Sequence, residues 1–132
     1  MRAEPGQLRD ARVFRGLSER DLALIAEWME IRHAAEGERV IREGASGFSF
    51  YVIFEGSAVV RSDDREIATL GPGDHFGEMA IEDKSARHAD VVATSPSTLG
   101  VMFGTDFLLM EREFPAVAGR IRREADARRA EL

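Results

Sequence analysis

Cysteine is absent from this chain of 132 residues. Disulfides, cysteine-based zinc sites and thiol nucleophiles are thereby excluded. Lysine is nearly absent as well: Lys84 stands alone, so the basic charge is almost entirely arginine. That bias fits a GC-rich genome better than a function. No run of about 18 apolar residues occurs, as a membrane-spanning helix would need. The opening MRAEPGQLRDARVF also lacks the apolar core of a secretory signal. Positive charge is in deficit, with a net charge of -6, which argues against broad attraction to nucleic acid or anionic lipid. Together these absences predict a soluble, cytoplasmic protein without a membrane segment and without direct nucleic-acid binding.

The length suits one domain. At this size a folded domain buries roughly two-thirds of the surface its unfolded chain exposes, so a core forms without covalent staples. Val13-Phe14-Arg15-Gly16-Leu17 reads as a short apolar turn. Ser18 followed by Asp21 reads as a variant of the capping box, and Leu22, Ile25 and Met29 then recur at helical spacing. A helix is expected from about Glu19 to Glu30, so that the N-terminal helical region runs over about residues 18–30. The pattern then changes to short β-rich runs punctuated by glycine and polar turns: Arg39–Arg42, Phe48–Phe54, Ser57–Arg61, Glu66–Leu70, His88–Thr94 and Thr98–Phe103. Short strands at regular spacing predict a mainly β fold, a small sandwich or barrel, over about residues 31–103. Helical periodicity returns over about 105–131, with Thr105 or Asp106 as the cap of one helix and Pro115 in the first turn of the last. Val117, Ile121 and Ala125 form an i, i+4 apolar stripe there, flanked by the pairs Arg122/Asp126 and Glu124/Arg128.

One segment carries chemistry. Phe76-Gly77-Glu78 is followed nine residues after Glu78 by Arg87, just before an apolar-alternating run. Gly71, Gly73 and Gly77 cluster around it, and glycine lets backbone amides approach an anion closely. If a helical turn starts at Gly77, the free N–H groups through Ala80 suit a phosphate. A carboxylate such as Glu78 accepts hydrogen bonds and so suits a ribose hydroxyl rather than a phosphate. Arg87 offers a permanently charged fork that matches phosphate oxygens. Charge and spacing alone leave a second reading open: a structural Glu78–Arg87 ion pair beside a glycine turn.

The segment over residues 76–91 resembles the phosphate-binding cassette of cyclic-nucleotide-binding domains, the receptor domains for cAMP and cGMP found in bacterial activator proteins and in protein kinase A regulatory subunits. The matching residues are Phe76-Gly77-Glu78, Met79-Ala80-Ile81, the loop Glu82–Ala86, and Arg87-His88-Ala89-Asp90-Val91. The likeness extends from about residue 10 to 125. It takes in Phe14, Leu17, Ser18 and Leu22; Glu43-Gly44; Phe50-Tyr51-Val52-Ile53 with Gly56; Leu70-Gly71-Pro72-Gly73-Asp74; and Phe107 with Pro115. The resemblance implies an eight-stranded antiparallel β-roll, a jelly roll flanked by helices. It also implies that Glu78 accepts the ribose 2′-hydroxyl and Arg87 pairs with the cyclic phosphate. Backbone amides of Gly77, Met79, Ala80 and Ala89 would contribute, with His88 beside them. The last helix would close over the purine, and Ile121, Arg122 and Ala125 are the lid candidates. His88 stands where relatives often carry Ala, Ser or Thr. It offers no hydroxyl of the kind that commonly favours cGMP, so cAMP is the expected ligand and cGMP the second. Ala45 replaces a frequent Asp, and Glu82, Asp83 and Asp90 add negative charge; Asp90 is expected to point away from Ala89's face.

Other chemistries are weaker. His33, His75 and His88 lack metal-ligand spacing, and His75 reads as a turn residue. Ser46, Ser49 and Ser57 lie in no nucleophile elbow. Asp74 and Glu78 read as turn and ligand residues rather than a catalytic pair, so no enzyme activity and no metal or cofactor is expected. Phe48, Phe50, Val52 and Phe54 share one strand face and read as core. The arginine-rich end, diluted by Glu124, Asp126 and Glu131, reads as a solvated helix face. The expected protein is thus a cyclic-nucleotide sensor whose ligand moves the C-terminal helix and whose effector is another protein or a further domain. The alternative is a nucleotide-free β-roll that serves as a protein-interaction module.

Overall fold

The computed structural model describes residues 1–42, 49–78 and 89–129. Ser18 caps the helix that its spacing predicts: its side chain accepts a hydrogen bond from the Asp21 N–H, and the helix runs over Glu19–Ala26 (α2). It stops short of Glu30 because the chain turns at Glu27 and Trp28 and Glu30 opens a strand. Ahead of it lie a short helix, Pro5–Arg9 (α1), and a single 3₁₀ turn, Arg12–Phe14. Both buttress the same core through Leu8, Val13 and Phe14.

Eight strands follow among the described residues: β1 (Glu30–Ala34), β2 (Arg39–Ile41), β3 (Ser49–Glu55), β4 (Ala58–Ser62), β5 (Arg65–Leu70), β6 (His75–Phe76), β7 (Asp90–Ala93) and β8 (Ser97–Phe103). They form two four-stranded sheets, ordered β1-β8-β3-β6 and β2-β7-β4-β5. All the pairings are antiparallel. Two helices end the described chain, α3 (Gly104–Glu113) and α4 (Pro115–Arg129). Pro115 opens α4 as its spacing predicts. The cap of α3 is instead Phe103, which lends no side-chain bond, while Asp106 sits in the first turn, where its charge suits the helix dipole. This is the expected β-roll with helices at both ends. No helix among the described residues is long and apolar enough to cross a membrane.

The central strand β3 explains why the molecule has two cores. Successive residues of a strand point to opposite faces. Phe50 and Val52 join the helices in one cluster, with Leu22, Ile25, Met102, Phe107 and Ile121. Tyr51 and Ile53 face the second sheet, with Val60, Phe76, Val91 and Leu99. Phe50 packs on Phe107 at a ring-centroid distance of 4.7 Å, and Tyr51 stacks on Phe76 at 4.8 Å. Each fully buried side chain of this size contributes roughly 1.5–3 kcal/mol. The expectation of core packing for this strand face holds for Phe50 and Val52; Phe54 is half-buried, and Phe48 lies outside the described residues. The helical layer is therefore glued to the back of β3. The same strand pairs with β6 through Tyr51–Phe76 and Val52–His75, which fixes the segment that carries the candidate site.

Candidate functional site

The approach to the site is a tight turn. Pro72 and Gly73 are its central residues, and Gly73 takes φ 90°, as the third position of a type II turn requires. Its closing bond runs from the Asp74 N–H to the Gly71 carbonyl at 3.0 Å. The Asp74 carboxylate accepts the Gly71 N–H at 2.7 Å and also pairs with Arg12. Asp74 thus serves the turn, as its sequence context predicts, and ties that turn to the 3₁₀ segment. After the two-residue strand β6, Gly77 takes φ 96°, a backbone that a side chain would strain, and delivers Glu78 inward.

Glu78 is completely buried, and so is His75. His75 is a strand residue enclosed in the core rather than a surface turn residue, because its partner Val52 belongs to the central strand. Its ring lies 5.5 Å from that of Phe50. Nδ1 of His75 stands 3.1 Å from Glu78 Oε1, and Nε2 stands 2.7 Å from Glu124 Oε2 on α4; these are ion-pair approaches, since neither nitrogen is aligned for a hydrogen bond among the described residues. The imidazole therefore spans from the candidate site to the last helix. Arg128, one turn further along α4, donates from Nη1 to Glu78 Oε1 at 3.2 Å. Glu124 also receives Arg12 Nε at 3.3 Å. Glu78 Oε2 is buried and has no hydrogen-bond partner among the described residues. An unpaired buried carboxylate oxygen is costly, of the order of 1–3 kcal/mol or more.

Electrostatics follow from this geometry. For His75 burial disfavours the charge, but the contacts with Glu124 and Glu78 outweigh it and raise its pKa above the ordinary value. For Glu78 burial likewise opposes ionisation, while His75 and then Arg128 hold its pKa below the ordinary carboxylate value. The contact with His75, helped by Arg12, lowers Glu124 to about 2. Arg12 is raised, first through its bond to Asp74.

The expected pair of Glu124 with Arg128 along the helix surface is replaced by inward contacts. Arg120, Glu124 and Arg128 recur at i, i+4, i+8 and make one polar stripe. Arg120 donates to the carbonyls of Val13 and Arg15, at 3.1 and 2.5 Å. Beside it runs the apolar stripe Val117, Ile121 and Ala125, which is buried as its spacing predicts. Ile121 and Ala125, expected at a lid, therefore face the core in this position of α4, and Arg122 is exposed. Of the remaining expected site residues, Gly77 and Ala89 lie within the described segments, near their ends, and Ala89 is buried just before β7. Met79, Ala80, Arg87 and His88 lie outside the described residues, as do Glu82, Asp83, Ala45 and Ser46. Asp90 is half-buried and faces Arg39, with Oδ2 3.7 Å from Nε. His33 contacts Thr98 on the opposite side of its sheet pairing. No cluster of three metal-ligating side chains occurs among the described residues. Two surface clefts of about 670 and 280 Å³ lie beside α1, α2 and the Pro72 turn, away from Glu78.

Three comparisons bear on this geometry. A family model described as "Cyclic nucleotide-binding domain" matches residues 31–113. Isozyme 1 of the cGMP-dependent protein kinase from Drosophila melanogaster is 34% identical over 113 residues, which are 80% of this chain and 14% of that protein. The cyclic AMP receptor protein of Thermus thermophilus is 30% identical over 111 residues, 80% of this chain and 51% of that protein. The chain thus spans about half the length of one relative and a small part of the other. Among solved structures, cAMP-bound PfPKA-R (141–441) superposes with a TM-score of 0.89 at 22% identity, covering 97% of this chain and 44% of that one. At that identity the likeness concerns the fold.

Proposed function

The chain belongs to the cyclic nucleotide-binding domain family, and on that premise we propose that it is a cAMP sensor module with no catalysis of its own. The observation that carries the reading is Glu78: a buried carboxylate, with one oxygen lacking a partner among the described residues, at the position to which the family resemblance assigns the ribose. A group kept ionised in the core by His75 and Arg128 is a ready acceptor for a sugar hydroxyl. In this reading Glu78 takes the ribose 2′-hydroxyl and Arg87 the cyclic phosphate. Backbone amides of Gly77, Met79, Ala80 and Ala89 complete the cradle beside His88. Relatives named for cAMP and for cGMP both match; the absence of a hydroxyl at His88 favours cAMP.

Ligand and α4 compete for the same carboxylate. Arg128 donates to Glu78 in the present arrangement, so a ribose that claims Glu78 weakens the hold on α4. The helix then shifts by as much as the ligand's affinity differs between the two helix positions. Arg122 is exposed in this position of α4, whereas Ile121 and Ala125 must leave the core to act as a lid. The output is read by an effector protein or a further domain.

Isothermal titration calorimetry with cAMP and cGMP tests the proposal. Binding that is lost in Glu78→Ala and in Arg87→Ala supports it. No heat with either nucleotide at millimolar concentration overturns it in favour of a nucleotide-free interaction module.

A further inference from the structure

The polar stripe of α4 does more than dock a helix, because one of its members reaches the site through an imidazole. His75 is flanked on one side by Glu78, 3.1 Å from Nδ1, and on the other by Glu124, 2.7 Å from Nε2. The other charged groups around it are Arg128 from α4, and Arg12, which shares Glu124 and binds Asp74. The Phe50 ring of β3 lies beside the imidazole and carries no charge. Both contacts are ion-pair approaches rather than aligned hydrogen bonds. A neutral imidazole carries no charge to attract either carboxylate and turns a lone pair toward one of them. Only the imidazolium attracts both. The bridge between the site and α4 is therefore complete only while His75 holds its second proton.

We propose that His75 is a proton-linked positioning residue: as an imidazolium it joins Glu78 to Glu124, so that a nucleotide which frees α4 also frees a proton. The proposal rests on the nucleotide reading given above. Loss of Glu124 leaves the buried imidazolium with one carboxylate instead of two, and burial then favours the neutral ring. The proton passes from Nε2 to solvent, and Glu124 departs as the carboxylate it already is. Arg128, whose charge opposes the imidazolium, departs with α4 as well, but its effect on His75 is weaker than that of Glu124. The nucleotide's own phosphate charge is met by Arg87 in the proposed site, so the departure of Glu124 sets the sign. Binding consequently tightens as pH rises from about neutrality, by at most about tenfold per pH unit for one linked proton.

The test uses the whole chain and Glu124→Gln, a change at a partly exposed side chain that leaves the core intact. Histidine NMR titration of the ligand-free protein comes first. His75, assigned by a His75→Asn variant, is expected to titrate above its ordinary range in the native protein and markedly lower in Glu124→Gln. An unchanged His75 titration overturns the bridge, whether or not nucleotide binds. Calorimetry with cAMP near pH 7, in two buffers of different ionisation heat, comes second. Release of up to one proton is expected, and Glu124→Gln is expected to abolish most of it. Binding without proton release overturns the linkage. If the titration behaves as expected but neither cAMP nor cGMP binds, the nucleotide reading falls together with the linkage, and the imidazolium bridge to α4 stands.

Discussion

At the scale of single residues, Arg128 and Glu78 are the informative pair. Arg128→Ala removes the charge-assisted bond to a buried carboxylate. It is expected to lower stability by about 1–3 kcal/mol, as measured by urea unfolding. In the proposed reading it also removes the ribose's competitor, so the affinity for cAMP rises in the same variant. A variant that loses both stability and affinity would contradict that competition. Glu78→Gln keeps the size and loses the charge. The weakening expected is about 10- to 100-fold in calorimetric affinity, the equivalent of one hydrogen bond to a charged group. Only the second of these predictions was legible from the chain alone. Glu78 stood out through its motif, but Arg128 did not, because Glu124 and Arg128 at i, i+4 have the spacing of an ordinary surface pair. His75 gave even less signal: one polar residue beside a turn shows nothing of the strand that buries it.

At the scale of elements, local signals that complete themselves within a few residues were readable. Ser18 names its own helix start, and Ser18→Ala is expected to destabilise the protein by about 0.5–2 kcal/mol in thermal or urea unfolding. Six of the eight described strands and the start of α4 at Pro115 were readable for the same reason. Elements defined by partners were not. β6 has two residues, too few for any periodicity, and exists because Tyr51 and Val52 pair with it. α2 ends at Ala26 rather than Glu30 because Glu30, Ile31 and Arg32 pair with β8, a contact made some 70 residues away in sequence. α4 owes its place to packing as well as to its polar anchors. Ile121→Ala is expected to cost about 2–5 kcal/mol, since the side chain is wholly enclosed. The same variant should loosen α4 first, seen as faster amide exchange there than in β3.

At the scale of the whole molecule, charge linkage across α4 sets a pH window. The raised pKa of His75 gives stability that is full below its ordinary value of 6.5 and is lost as pH climbs through the folded value. The lowered pKa of Glu124 gives stability that is full above its ordinary 4.5 and is lost as pH falls toward about 2. Urea unfolding across pH is therefore expected to show a plateau from about pH 4.5 to 6.5 with a fall on each side, and Glu124→Gln should flatten the alkaline fall. The polar stripe has a mechanical consequence besides. Its three anchors are spread over eight residues, about 12 Å of helix, and they grip different parts of the roll: the 3₁₀ carbonyls, the buried imidazole and the site carboxylate. Of the three anchors on α4, Arg128 is the one that touches Glu78 directly. In the proposed reading, a pull that begins there would loosen Arg128 before Glu124, and Glu124 before Arg120, so that α4 would peel from its far end like a strip of tape while its root at Pro115 stays fixed. Such a stroke would be graded rather than all-or-none, and the number of anchors released would measure how far the signal has travelled.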